Sequence, residues 1–417
     1  LPISRVLAGA AGDLTVAAST ATAGTLADAL TVALTSKAAA AGLNDQRFAD
    51  LNVVVTGGVY DYAQAAYSNA TLAFGNVRQG VGSLTRSVGV TNTTVTNALF
   101  QDSLDVVGAV ANAKLAASAP VNAAAGATGV VTVTASTALA GSLADTLGLG
   151  FASNANGVAG LTDEALASQS VTVTGAAYDL ARATLGATSV AFGNVRTGAA
   201  ATVAVTNTVT TDAAYQDSLD VVASTANGNL RLTDPANLLA SQSGNVGVKA
   251  HLAGSLDATV ALALTSNANA VAGLANAALA GQSIAVTGAA YDYAQLAVTN
   301  RVLAFGNVRK GGALADQKLS FANTLVTDAN FQDALEVATA ANNAKLTATG
   351  ALVLAGAAGD LTVAASTATA GTLADALTVA LTSKAAAAGL ADKGFADLNV
   401  VVTGGGYEDR KSTRLNS

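Results

Sequence analysis

The sequence predicts an all-β chain of tandem antiparallel sandwiches, and three observations carry that expectation. The stretch Phe74-Gly75-Asn76-Val77-Arg78 returns unchanged as Phe192-Gly193-Asn194-Val195-Arg196 and as Phe305-Gly306-Asn307-Val308-Arg309. A second landmark, Val-Thr-Gly with Tyr three residues later, ends at Tyr60, Tyr178, Tyr291 and Tyr407, at intervals of 118, 113 and 116 positions. Solenoid coils repeat every ~20–50 residues, so this interval is a domain written several times. Between the landmarks, apolar residues alternate with polar ones, the period of strands with one buried and one wet face.

The landmarks divide the chain into residues 1–60, the C-terminal half of a repeat, and the complete repeats 61–178, 179–291 and 292–407. Residues 6–43 are identical to 353–390, and the match runs on to Tyr60 against Tyr407 with few changes. Residues 1–4 and 408–417 read as adapter-derived sequence and are set apart from the fold.

Within residues 61–178, Leu72 and Phe74 open the first strand, and Val88 and Val90 mark the second before a turn at Asn92-Thr93. Phe100, Leu104 and Val106 are expected on a third strand and Val131 and Val133 on a middle one. Leu143, Leu147, Leu149 and Phe151 are expected on a long strand, and Val171 and Val173 close the unit. Gly-, Asn- and Ser-rich clusters such as Ser153-Asn154-Ala155-Asn156-Gly157 supply turns. Residues 157–169 lack alternation, which leaves a short helix or an Ω-like loop open there, with residues 37–41 a possible extension in the partial repeat. About seven short strands in a little over a hundred residues make an Ig-like β-sandwich, and Phe74, Phe192 and Phe305 are expected in successive cores, each with a bend or bulge at the following glycine. Short junctions without Pro- or Gly-rich linkers predict an extended array of semi-rigid contacts, to which Tyr60, Tyr178 and Tyr291 contribute as last-strand core residues or as rings buried between neighbours.

A strand reading Ala-Phe-Gly-Asn-Val-Arg-x-Gly, followed by one ending Val-Thr-Asn-Thr (Val90 to Thr93 and Val205 to Thr208, with Phe321-Ala322-Asn323-Thr324 as a variant), resembles the choice-of-anchor D domains of bacterial surface proteins. More distantly it is similar to Hydin-type and PapD-like domains. The resemblance covers the first third of each repeat and implies a seven-stranded sandwich used as an extracellular module.

Composition narrows the function. The chain is 51% hydrophobic but only 4% aromatic and 11% charged, with a net charge of -7 and no Cys. Nucleic-acid binding needs clustered Lys and Arg, which this sequence lacks. No uninterrupted apolar run is long enough to span a membrane. Without Cys, each unit relies on its core alone.

Candidate chemistry is sparse. Arg78, Arg196 and Arg309 are able to grip a carboxylate or acidic sugar, but each falls at a strand end, where local pairing or exposure is the expectation. Asp102/Asp105, Asp217/Asp220 and Asp333/Glu336 suggest a glycosidase pair or calcium, yet residues three apart on a strand face opposite sides and do not converge across the roughly 5–10 Å such chemistry needs. Asn154-Ala155-Asn156 and Asn267-Ala268-Asn269 mimic a calcium loop without its acids and read as turns. His251 is the only histidine, which leaves no His-based triad or zinc site, and a place on a strand edge is expected for it. No cofactor is implied. The expected function is a noncatalytic structural or adhesive stalk of a bacterial secreted or cell-surface protein, with a carbohydrate- or protein-binding module using inter-strand loops as the alternative. Expected partners are neighbouring repeats of the same chain and an unidentified surface glycan or protein.

Overall fold

The structure is a computed structural model that describes residues 5–408. Apart from Glu408, the adapter-like ends lie outside the described residues. The fold is all-β, with Ig-like sandwiches in tandem. Among the described residues there are three separate hydrophobic cores, one between Ala63 and Val173, one between Ala181 and Ala290, and one between Ala294 and Val402.

The first core shows how a sandwich is made. One sheet has the order Leu115–Ala117, Thr128–Ala135, Leu84–Asn92, Ala65–Tyr67, all antiparallel. The facing sheet runs Val121–Ala123, Ser103–Ala109, Asp145–Asn154, Glu164–Tyr178, with Gly141–Ser142 extending the row beside Glu164–Tyr178. The chain changes sheets at its start: Ala65–Tyr67 pairs in the first sheet, and Thr71–Arg78 crosses to pair in parallel with Glu164–Tyr178 in the second. Alternation delivers the core as expected. Val88, Val90, Val131 and Val133 from one sheet meet Leu104, Val106, Leu147 and Leu149 from the other, each at most 1% exposed.

One expectation is corrected, and one of two open alternatives is decided. Phe100 belongs to a single 3-10 turn, Ala98–Phe100, not to the third strand; the Asn97 side chain caps that turn by accepting from the Leu99 N–H. The turn recurs as Ala213–Tyr215 and Ala329–Phe331, capped by Asp212 and Asp328. The short helix left open at residues 157–169 does not form. Asn156, Gly157 and Gly160 adopt φ of 53°, 74° and 86°, left-handed values that a right-handed helix excludes, and Glu164 already begins the last strand. Residues 37–41 of the partial repeat form no helix either.

Contacts divide the chain into two compact units. One runs to Leu180 and includes Thr211–Gln216 and Ala270–Ala275; the other comprises Ala181–Thr210, Asp217–Asn269 and the chain from Asn276 onward.

The partial repeat is an internal control. Its C-terminal hairpin, Asp28–Val32 with Leu51–Val55, has the register of Asp375–Lys384 with Leu398–Tyr407. Yet Leu14 and Val16 are 46% and 47% exposed and outside any strand, whereas their identical counterparts Leu361 and Val363 are fully buried in strand Ala358–Ala365. The difference is the partner: Ala358–Ala365 is paired with Gln317–Asn323 and Leu346–Thr349.

Phe74→Ala is expected to remove about 3–5 kcal/mol from the first sandwich, because the ring is 4% exposed within that core. Chemical denaturation followed by hydrogen exchange at residues 84–92 checks this, and a loss under about 1 kcal/mol would show that the ring contributes little packing.

Asp145 accepts hydrogen bonds from the Ala111, Asn112 and Thr146 N–H groups, and these, led by Asn112, hold its carboxyl below the ordinary carboxylate range. A depressed folded value means that the contribution is present above the unfolded pKa and is lost as pH falls through the folded one. Asp145→Asn is therefore expected to lower stability at neutral pH and to shrink the loss on acidification. Melting temperatures at pH 7 and pH 3 measure both.

Candidate functional site

Most of the recurrent residues converge where one repeat ends and the next begins. The two landmarks are partners in the sheet. Ser189–Arg196 lies parallel to Gln282–Tyr291, with Val190 beside Val286 and Arg196 beside Tyr291. The register shifts between Ala191 and Gly193, so that Phe192 forms a bulge, as Phe74 and Phe305 do in the other two pairs. Gly75, Gly193 and Gly306 have φ of 74°, 64° and 69°. Across the pair, a Cβ added to Gly175 would lie 2.7 Å from the Gly75 carbonyl oxygen, and one added to Gly404 would lie 2.9 Å from that of Gly306. Glycine at the second landmark is what lets the backbones approach, whereas at Gly75, Gly193 and Gly306 a Cβ would meet nothing within 4 Å and glycine serves through its positive φ. Phe74 and Phe305 are buried and Phe192 is half-buried against its core. Val77, Val195 and Val308 are half-buried.

The parallel register delivers Arg196 and Tyr291 together to the second-to-third repeat junction, which lies within one compact unit. The Tyr291 ring packs on Phe331 at 5.4 Å between centroids. The chain then pairs with the new repeat: Asp292 N–H donates to Phe331 O, and Asp333 N–H donates to Asp292 O. Arg196 Nη1 lies 2.9 Å from Asp333 Oδ2, as an ion pair rather than an aligned hydrogen bond. Its Nη2 donates to the Ala391 carbonyl at 2.9 Å, and its guanidinium carbon sits 4.2 Å from the centroid of the Tyr293 ring. Lys393 Nζ also lies 4.3 Å from the centroid of that ring. Asn194 Nδ2 donates to Ala388 O, and Thr197 Oγ1 donates to Asp292 Oδ1. The expectation of local pairing or exposure for this arginine is thus overturned. Its side chain is 18% exposed and its partner carboxylate 0%, because parallel pairing aims the strand end into the next sandwich.

Part of the arrangement repeats elsewhere. Within the first unit, Asn76 and Arg78 donate to the carbonyls of Ala272 and Ala275. Tyr60 packs on Phe100 and Tyr178 on Tyr215, with centroids 5.4 and 5.5 Å apart. Arg309 and Tyr407 end the last parallel pair, where Tyr407 is 59% exposed.

The paired carboxylates part company. Asp102, Asp217 and Asp333 are buried and accept from Ser153, Ser266 and Ser383 hydroxyls. Asp105 and Asp220 instead accept from Asn122 and Asn154, and from Asn237 and Asn267, while Glu336 lies 3.7 Å from Lys384 Nζ. Asn154 and Asn267 end long strands, with their amides serving these carboxylates, and the expected turns follow at Asn156 and Asn269. His251 is exposed just after strand Ser243–Ala250. Among the described residues no group of three or more His, Cys, Asp or Glu is placed to hold a metal, and no helix is long and apolar enough to cross a membrane.

Sequence reasoning missed the buried amides Asn92, Asn207 and Asn323, all 0% exposed. Asn92 Oδ1 accepts from Gln64 N and Gln101 Nε2, while its Nδ2 donates to Asp102 O and Ala123 O. The available signal was the asparagine in each Val-Thr-Asn-Thr stretch, which alternation places on the buried face.

No protein-family model matches the chain, and no curated protein matches it in sequence, so the resemblance to choice-of-anchor D domains rests on its motif residues. Among solved structures, a titin I67–I69 three-Ig fragment is 10% identical, covering 83% of this chain and 99% of that one at a TM-score of 0.30. Domains EC22–24 of mouse cadherin-23 are also 10% identical, covering 83% and 100% at 0.32. The D00–D0 domains of intimin are 12% identical, covering 53% and 99% at 0.26.

Arg196→Ala is expected to cost about 3 kcal/mol, the low end for breaking a buried pair, because it strands the Asp333 carboxylate. Arg196→Lys should recover little, since Lys lacks the planar fork. The readout is faster hydrogen exchange at residues 384–392 and 329–333, with the second core retained.

Proposed function

We propose that the chain is part of a noncatalytic stalk of a bacterial extracellular or cell-surface protein, built from Ig-like repeats 61–178, 179–291 and 292–407 of the choice-of-anchor D type. The observation that carries this reading is the junction. The arginine, asparagine, tyrosine and aspartate that recur with each repeat serve to hold one sandwich to the next, where an enzyme would gather such groups around a substrate. A guanidinium held by a carboxylate, a carbonyl and an aromatic face resists bending in several directions. Repetition then gains length at little cost in new sequence.

Small-angle scattering on the full chain tests the reading. An elongated particle is expected, and a compact one would count against a stalk. A glycan array run beside it separates the alternative: saturable carbohydrate binding that Arg196→Ala leaves unchanged would make the loops a recognition surface.

A further inference from the structure

Two Asn-Gly pairs occur in the chain, Asn156-Gly157 and Asn227-Gly228, and the fold treats them in opposite ways. An asparagine followed by glycine is open to attack on its side-chain amide by the next backbone nitrogen, because no Cβ shields that nitrogen. Asn227 is restrained against it. Its Nδ2 donates to the Ser255 and Asp257 carbonyls at 3.0 and 3.3 Å, and its Oδ1 accepts from the Asn229 N–H at 2.9 Å. Both ends of that amide are tied down.

Asn156 is exposed in the turn after strand Asp145–Asn154, with φ of 53° followed by 74° at Gly157. Among the described residues its Nδ2 makes no hydrogen bond, and neither does the Gly157 N–H. The amide oxygen is held instead. Ser103, a residue 2% exposed, donates from its Oγ to Asn156 Oδ1 at 2.9 Å, and Asn122 Nδ2 donates to that Ser103 oxygen at 2.8 Å. A donor on the oxygen draws electrons from the amide carbon and stabilises the negative charge that develops on addition. The attacking and leaving nitrogens are thus free, and the carbonyl between them is polarised. The second repeat holds a control. Asn269 is exposed with φ of 50° and accepts from Ser218 Oγ at 2.9 Å, while Asn237 donates to Ser218. The residue after it is Ala270, at φ of 58°, whose Cβ shields the nitrogen.

We propose that Asn156 is a modification site, converted without an enzyme to a mixture of aspartate and isoaspartate. The Gly157 nitrogen, its proton taken by solvent hydroxide, adds to Asn156 Cγ. The new C–N bond closes a succinimide ring as the Cγ–Nδ2 bond breaks, and ammonia leaves with a proton from water. Water then opens the ring at one carbonyl or the other. One opening restores the main chain with a carboxylate at position 156, and the other routes the main chain through the side chain. Either product adds a negative charge to a turn whose neighbour Asn154 already binds Asp105. Product accumulates with time, so the turn records the age of the chain.

The test incubates the full chain at mildly alkaline pH and maps it by mass spectrometry, with isoaspartyl methyltransferase labelling as a second readout. Amide loss at Asn156 is expected to run about tenfold faster than at Asn269 or Asn227, with isoaspartate among the products. Gly157→Ala is expected to slow it to the Asn269 rate, and Ala270 shows that alanine fits this turn. Ala270→Gly is expected to raise Asn269 to the Asn156 rate. Ser103→Ala, an exchange that Ala334 already carries at the same register in the third repeat, is expected to slow Asn156 several-fold with Gly157 in place. The proposal fails if Asn156 loses its amide no faster than Asn269, if no isoaspartate forms, or if Ala270→Gly leaves Asn269 unchanged. An unchanged rate in Ser103→Ala would overturn the role given to that hydroxyl.

Discussion

The close approach of two glycines governs this structure. Gly75 and Gly175, and their counterparts in the later repeats, bring the first long strand of a sandwich against its last in parallel, a pairing between residues about a hundred positions apart. A side chain at Gly175, Gly288 or Gly404 would hold the backbones apart, whereas Gly75, Gly193 and Gly306 are required by their positive φ. The register this contact sets is the one that puts Arg196 beside Tyr291 at the sheet's end, so the contact that closes one sandwich also aims the groups that meet the next.

Beneath the junction lies a polar layer that is unusual for so apolar a core, and its completeness explains why it is tolerated. Each Asn92-type amide is buried, and Asn92 satisfies both ends of its group with four bonds. Ser153, near the end of strand Asp145–Asn154, accepts from the Ala63 N–H and donates to Asp102, tying the start of the repeat to the residue that leads into strand Ser103–Ala109. Apolar residues of the same size would leave those backbone groups unpaired, at about 1–3 kcal/mol each.

Electrostatics follow the same logic of compensation. A carboxylate with no exposure, such as Asp333, is costly to desolvate, and the chain surrounds it with the Ser383 hydroxyl, the Ala386 N–H and the Arg196 guanidinium. In a chain only 11% charged, placing charge there concentrates it where position matters most. Surface pairs such as Lys384 with Asp392 are exposed and contribute far less.

The strands and their buried faces were legible in the sequence because alternation is a local property: Val88, Val90, Val131, Val133, Leu104, Leu147 and Leu149 all lie where the pattern puts them. The two landmarks were legible as repeats too. That they pair with each other was not, since parallel partners leave no local trace, and neither was the reach of Arg196 to Asp333 in a different repeat. Residues 6–43 and 353–390 give the sharpest division. One sequence, written twice, specifies the same hairpin in both places, because its two strands carry their own register. It specifies the strand Ala358–Ala365 only in the second place, because a strand's hydrogen bonds and its buried face belong as much to its neighbours, here Gln317–Asn323 and Leu346–Thr349, as to itself.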